Sequence, residues 1–135
     1  MAIQWHESLS IGIAEIDNQH KELISRFERF LKACDTNRGG VELKNTLDFL
    51  EEYSIKHFRD EEKFQLEHKY PGYETHKKEH ESFIVNLGKM RSEIDREGAT
   101  LHHIIATNNM LIKWLVGHIS ASDGAIGTFL RKKLN

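Results

Sequence analysis

Two residue pairs at helical spacing, His57 with Glu61 and His76 with His80, flank the only proline of the chain, Pro71. Residues four apart on an α-helix are rotated by about 40° and raised by about 6 Å, so each pair presents two polar side chains on one face. The segment Glu67–Pro71 between the pairs predicts a turn, because proline suits the start of a helix and disrupts its interior. Two antiparallel helices then face each other, with ligand-type side chains where an ordinary bundle would place apolar ones.

The rest of the chain repeats the pattern. A first stripe, Ile16, His20, Leu23, Phe27, Phe30 and Cys34, advances in alternating steps of three and four, with Asp17 as N-cap and the turn residues Asp35–Gly40 as its end. A second runs Leu43, Leu47, Leu50, Ser54, His57, Glu61, Phe64. A third runs Tyr73, His76, His80, Phe83, Leu87, Met90, Ile94, stopping at Arg96–Ala99. A fourth runs Leu101, Ile104, Asn108, Leu111, Leu115, His118, and is expected to loosen afterwards around Gly124 and Gly127. Four such stripes joined by short loops predict an all-α protein, an up-down-up-down antiparallel four-helix bundle. Residues 1–16 form an N-terminal arm whose Trp5 packs on the bundle, residues 17–135 form the bundle with a short C-terminal helical segment, and the whole chain is one domain.

Composition removes several functional classes. A length of 135 residues suffices for one real core, and a net charge of -2 without blocks of like charge excludes a nucleic-acid or membrane-surface partner. Cys34 is the sole cysteine, no signal-peptide layout opens the chain, and no apolar run spans a membrane, so a cytoplasmic monomer is expected.

Five of the nine histidines (His20, His57, His76, His80, His118) lie on the stripes, together with Glu61. In an antiparallel bundle all six fall at the same end. An unpaired buried carboxylate costs several kcal/mol, and no Lys or Arg on these stripes is placed to pair with Glu61, so a cation is required. Five imidazoles exceed one tetrahedral zinc, and histidine with carboxylate at higher coordination suits iron; two ions are implied. A zinc-protease H-E-x-x-H motif is absent, since Lys77 follows His76, and no Glu stands three residues before a His as ferritin-type sites require. A second bridging carboxylate is expected, and Asp123 is the candidate. Positions five apart in a regular helix point about 140° from each other, so a π-type turn or a helix end must bring Asp123 to the side of His118, eased by Gly124.

The run W-H-E-S-L-S-I-G-I-A-E-I-D-N-Q-H ending at His20, H-F-R-D-E-E from His57, Y-P-G-Y-E-T-H-K-K-E-H ending at His80 and W-L-V-G-H-I-S-A-S-D ending at Asp123 resemble the hemerythrins, specifically the single-domain bacteriohemerythrins. The resemblance implies His76, His80 and His118 on one iron, His20 and His57 on the other, and Glu61 and Asp123 bridging both, with an oxide or hydroxide between the two irons. It further implies O2 binding at an open position on the two-histidine iron, for storage or for delivery to an oxygen-requiring enzyme. Leu23, Phe58, Trp114, Leu115 and Ile119, close to the ligands, are then expected as an apolar O2 pocket wall. With no second cofactor motif a carrier is expected and not an enzyme; the alternatives are an O2 or redox sensor and a di-iron enzyme acting on peroxide or nitric oxide.

Overall fold

The computed structural model describes residues 4–36 and 38–134. After a single 3-10 turn at Glu7–Leu9 come α1 (Ala14–Asp35), α2 (Gly39–Glu67), α3 (Tyr73–Glu97) and α4 (Leu101–Trp114). A π-helical segment, Leu115–Ser122, continues α4 without a break into α5 (Asp123–Leu134). No strand occurs among the described residues, and no helix is long and apolar enough to cross a membrane. The expected four-helix bundle is what forms: α2 packs on both α1 and α3, and α4 closes against α1 and α2.

The stripes of α1, α2 and α3 bury as their periodicity predicts. Leu23, Phe27 and Phe30 of α1, Leu43, Leu47 and Leu50 of α2, and Phe83, Leu87 and Ile94 of α3 form one apolar core with Leu111. Burial of such side chains, at about 1.5–3 kcal/mol each, is the main force holding the helices together. Gly98 ends α3 with φ 83°, a left-handed conformation that glycine adopts without strain, and the turn Gly98–Thr100 leads directly into α4.

Four expectations change. Asp17 is not the N-cap: α1 begins earlier, at Ala14, and Asp17 in its first turn accepts hydrogen bonds from Ser10 Oγ (2.5 Å) and the Ile11 N–H (2.9 Å), tying the arm to the helix. The inward face of α4 is rotated from the apolar reading. Leu101 is 71% exposed, whereas His103, Thr107 and Leu111 are buried. Polar residues take this face because they find partners there: Thr107 Oγ1 donates to Met90 Sδ (2.8 Å), and His103 Nδ1 meets Thr100 Oγ1 (2.8 Å). The chain does not loosen after His118, since the π segment hands over to a further α-helix. Gly127 is accordingly no helix break. A Cβ there would lie 3.0 Å from the Ile11 Cα and carbonyl oxygen, so its lack of a side chain lets the arm lie directly on α5. Trp5 does pack on the core as half-buried cover, with the Lys21 ammonium 5.1 Å from its ring centre.

Candidate metal centre

His20 lies in the second turn of α1, His57 and Glu61 near the end of α2, and His76 and His80 in the first turns of α3. His118 lies within the π segment and Asp123 directly follows it. The up-down topology places all seven at one end of the bundle, and all seven are buried. The π turn answers the geometric problem posed by the five-residue spacing. The Asp123 N–H donates to the His118 carbonyl, an i to i−5 bond that stacks residues five apart, and Asp123 Oδ1 comes to 3.2 Å from His118 Nε2. Gly124 plays no part in this, because a Cβ at that position would meet nothing.

The ligand-type atoms form two overlapping groups, each with its atoms within 4.8 Å of one another: Glu61, His76, His80, His118 and Asp123; and His20, His57, Glu61 and Asp123. Glu61 and Asp123 belong to both. His76 Nε2 is 2.6 Å from Glu61 Oε1 and 2.8 Å from Asp123 Oδ1, and His20 Nε2 is 2.9 Å from Asp123 Oδ2. Yet His20 Nε2, His76 Nε2, Glu61 Oε2 and both Asp123 oxygens are buried without an aligned hydrogen bond. His80 Nε2 and His118 Nε2 face each other at 3.1 Å. Atoms that crowd together without pairing aim their lone pairs at shared points between them. Around an octahedral ion with bonds of about 2.1 Å, neighbouring ligand atoms sit about 3.0 Å apart, close to the contacts of 2.8 Å (His76–Asp123), 2.9 Å (His20–Asp123), 3.1 Å (His80–Glu61) and 3.2 Å (His118–Asp123) here. A cation removes the penalty of leaving these groups unpaired.

Electrostatics gives the same picture from the charge side. Burial opposes charge on His20 and His76, but the Asp123 and Glu61 carboxylates overcome it and raise the two pKa values to about 9 and about 10. His57 is pushed by burial down to about 4. Burial also opposes charge on Glu61 and Asp123, but the surrounding histidines hold Glu61 well below the usual carboxylate range and Asp123 at about 2. In the metal-free cluster, protons on His20 and His76 therefore occupy the role that a metal cation would take over.

The outer ring nitrogens of His57 and His80 are held too, and by residues that the stripe reading missed. His57 Nδ1 donates to Gln19 Oε1 (2.6 Å), and Gln19 Nε2 donates in turn to Asp60 Oδ2 (2.8 Å). His80 Nδ1 donates to Glu62 Oε2 (2.9 Å). Glu79 Oε1 lies 3.8 Å from His118 Nδ1 and accepts from Ser122 Oγ at 2.8 Å. The two hydrogen bonds point the Nε2 atoms of His57 and His80 inward. Gln19 and Glu62 are sequence neighbours of His20 and Glu61; adjacency to a ligand was the available signal.

Among the expected pocket residues, Leu23, Phe58 and Ile119 are buried and Trp114 is half-buried, while the Leu115 side chain lies outside the described residues. Phe58 stacks on His80 with ring centres 3.9 Å apart, and Trp114 stacks on His118 at 3.8 Å. The two rings therefore cover the three-histidine group, with Phe58 reaching the edge of the other group at 5.7 Å from His57. His68, by contrast, turns away to its own helix end, where Nδ1 donates to the Phe64 carbonyl at 3.0 Å.

Helices that deliver five histidines and two carboxylates to one buried level define a metal-binding four-helix-bundle protein. Comparison with known proteins narrows this class. The family model of the hemerythrin HHE cation binding domain matches residues 11–130, and the chain belongs to the hemerythrin family. It is similar to a bacteriohemerythrin of Stenotrophomonas maltophilia, 30% identical over 131 residues that make up 97% of this chain and 83% of that protein. It is also similar to the myohemerythrin of Sipunculus nudus, 29% identical over 88% of this chain and 86% of that protein. A hemerythrin-like protein of Naegleria gruberi is 28% identical over 88% of this chain and 86% of its own length.

Proposed function

We propose that this protein binds O2 reversibly at a non-haem di-iron centre and serves as an oxygen store or carrier. The observation that carries the reading is the sharing of Glu61 and Asp123 between two groups of unequal size. Counting the shared carboxylates for both ions, one ion receives five protein ligands, from three histidines and two carboxylates. The other receives four, from His20, His57 and the same two carboxylates. Two irons held there would find five protein ligands at one position and four at the other, so the His20–His57 position would keep more room for a diatomic molecule. Held by these residues, two irons would supply the two electrons that reversible O2 binding requires.

The chain's own residues have three tasks in this scheme. Glu61 and Asp123 hold the ions at a common distance and offset part of their charge in a site with little water. Gln19 and Glu62 keep His57 and His80 in the tautomer that leaves Nε2 free. Leu23, Phe58 and Ile119, buried close in sequence to His20, His57 and His118, are apolar and bring no proton of their own, which favours release of O2 unchanged over its reduction. The apolar character of these three side chains is what supports reading the centre as a carrier in preference to an enzyme. Metal analysis of the purified protein should find about two irons per chain; one zinc with no iron would refute the di-iron assignment.

A further inference from the structure

The outer face of α4 departs from the rest of the surface. Residues 101–122 hold one charged side chain, Lys113, in a chain that is 30% charged. In place of charge, Leu101 (71% exposed), Ile105 (51%) and Val116 (64%) stand open to solvent, with half-buried Ile112 between them. At about 100° per residue these four fall in one sector about 60° wide, roughly 150° around the helix from the buried His103, Thr107 and Leu111. The helix thus has one face sealed by the core and a second, apolar face left uncovered. We propose that this second face is the interface of a two-fold symmetric homodimer, α4 of one copy lying antiparallel on α4 of the other, in place of the monomer expected from composition.

The spacing of the stripe points to a second copy as the occupant. In a two-fold contact, if one residue meets another, the second must also meet the first. The steps Leu101 to Ile105, Ile105 to Ile112 and Ile112 to Val116 are four, seven and four residues, so the stripe reads the same from either end. Turned end for end it lies on itself, Leu101 facing Val116 of the second copy and Ile105 facing Ile112, each in both directions. The two-fold axis then passes between Asn108 and Asn109. Asn109, exposed beside the axis, meets its own counterpart, and amide pairing there favours this register over slipped ones, as a lone Asn does in a coiled coil.

Charge agrees with this choice. A face with Lys113 at its rim and no acidic side chain offers little to a strongly charged partner, whereas a like face meets it without burying an unpaired charge. The stripe is about 22 Å long, and a helix pair of that length covers less than the roughly 800 Å² per partner of a standard interface, so association depends on concentration. Antiparallel pairing sets the two metal centres at opposite ends of the assembly, because His118 of one copy lies beside the start of α4 of the other. Dimer formation therefore leaves the ligands of each centre in place.

The test is sedimentation equilibrium of the iron-loaded protein from about 5 to about 500 µM. The apparent mass should rise from 15.7 kDa toward twice that value. Ile105→Lys charges a position already open to water, so it should keep helicity and iron while raising the dissociation constant at least about 10-fold. Cross-linking reads the register separately. In a Cys34→Ser background, Ile105→Cys/Ile112→Cys cannot close an internal disulfide, since residues seven apart on a helix lie about 10 Å from one another. Oxidation should instead give a covalent dimer, and Leu101→Cys/Ile112→Cys, four residues out of register, should give little. A constant 15.7 kDa across the range would overturn the proposal, and co-sedimentation of that monomer with phosphatidylcholine vesicles would assign the face to lipid. Undiminished association of Ile105→Lys, or equal cross-linking of the two cysteine pairs, would overturn it as well.

Discussion

Replacing Gln19 with leucine tests whether the buried centre depends on the residues behind its ligands. Gln19 is buried beside His57, and its amide oxygen accepts the 2.6 Å hydrogen bond from His57 Nδ1. Leucine nearly preserves volume and removes the acceptor, leaving a buried N–H without a partner, at a cost of about 1–3 kcal/mol. Asp60, which loses the donor at 2.8 Å, is half-buried and turns to water instead, so the penalty is concentrated on His57. With the imidazole no longer held in one orientation, metal affinity of the His20–His57 group should fall about 10- to 100-fold, equivalent to about 1.4–2.7 kcal/mol. Chelator-competition kinetics measure this directly, and one ion per chain should leave faster than the other. Glu62→Gln is the control: an amide oxygen can still accept from His80 Nδ1, so orientation survives and release should slow or quicken by less than in Gln19→Leu. Indistinguishable release from Gln19→Leu and wild type would refute the claim that the Gln19 contact orients His57.

Glu61→Ala removes a carboxylate common to both groups and should lose both ions and lower the unfolding midpoint, whereas His68→Ala, which touches only its own helix end, should retain wild-type iron; equal iron in the two would place the ligands elsewhere. In the metal-free protein, protonated His20 and His76 stabilise the fold fully below the unfolded pKa of about 6.5, and this contribution is lost as pH rises through about 9 and about 10. His57 acts in the other direction, its contribution being present above about 6.5 and lost as pH falls through about 4. Thermal melts of the metal-free protein should therefore decline from pH 7 to 10, and metal loading, which displaces those protons, should flatten the decline. Gly127→Ala sets a methyl group 3.0 Å from the Ile11 backbone and should cost about 1–3 kcal/mol by urea unfolding without changing iron content.

The ligand set was legible because its residues break a strong rule: histidine and glutamate standing at the 3-4 spacing of a core stripe need a reason, and a shared metal supplies one. The bundle was legible for the related reason that α1, α2 and α3 keep their apolar periods almost without interruption. α4 was harder. Leu101 and Ile104 look like core and His103 and Thr107 like surface, yet the polar pair is buried because Thr100 and Met90 satisfy it locally. Asp17 resembled a cap in one dimension and proved to be the anchor of the arm, a contact between residues six and seven apart that periodicity does not encode. The π turn was deducible only through chemistry: Asp123 had to reach the site of His118, and a regular helix would have pointed it elsewhere.

The central claim, reversible O2 binding at a di-iron centre, is tested most directly by oxygenating the ferrous protein, removing the gas and repeating the cycle while following its visible absorption. Recovery of the colourless ferrous form over several cycles, with O2 returned unchanged, is the predicted result. Loss of the signal after one cycle, with O2 reduced to peroxide or water, would contradict it and make the centre that of an enzyme.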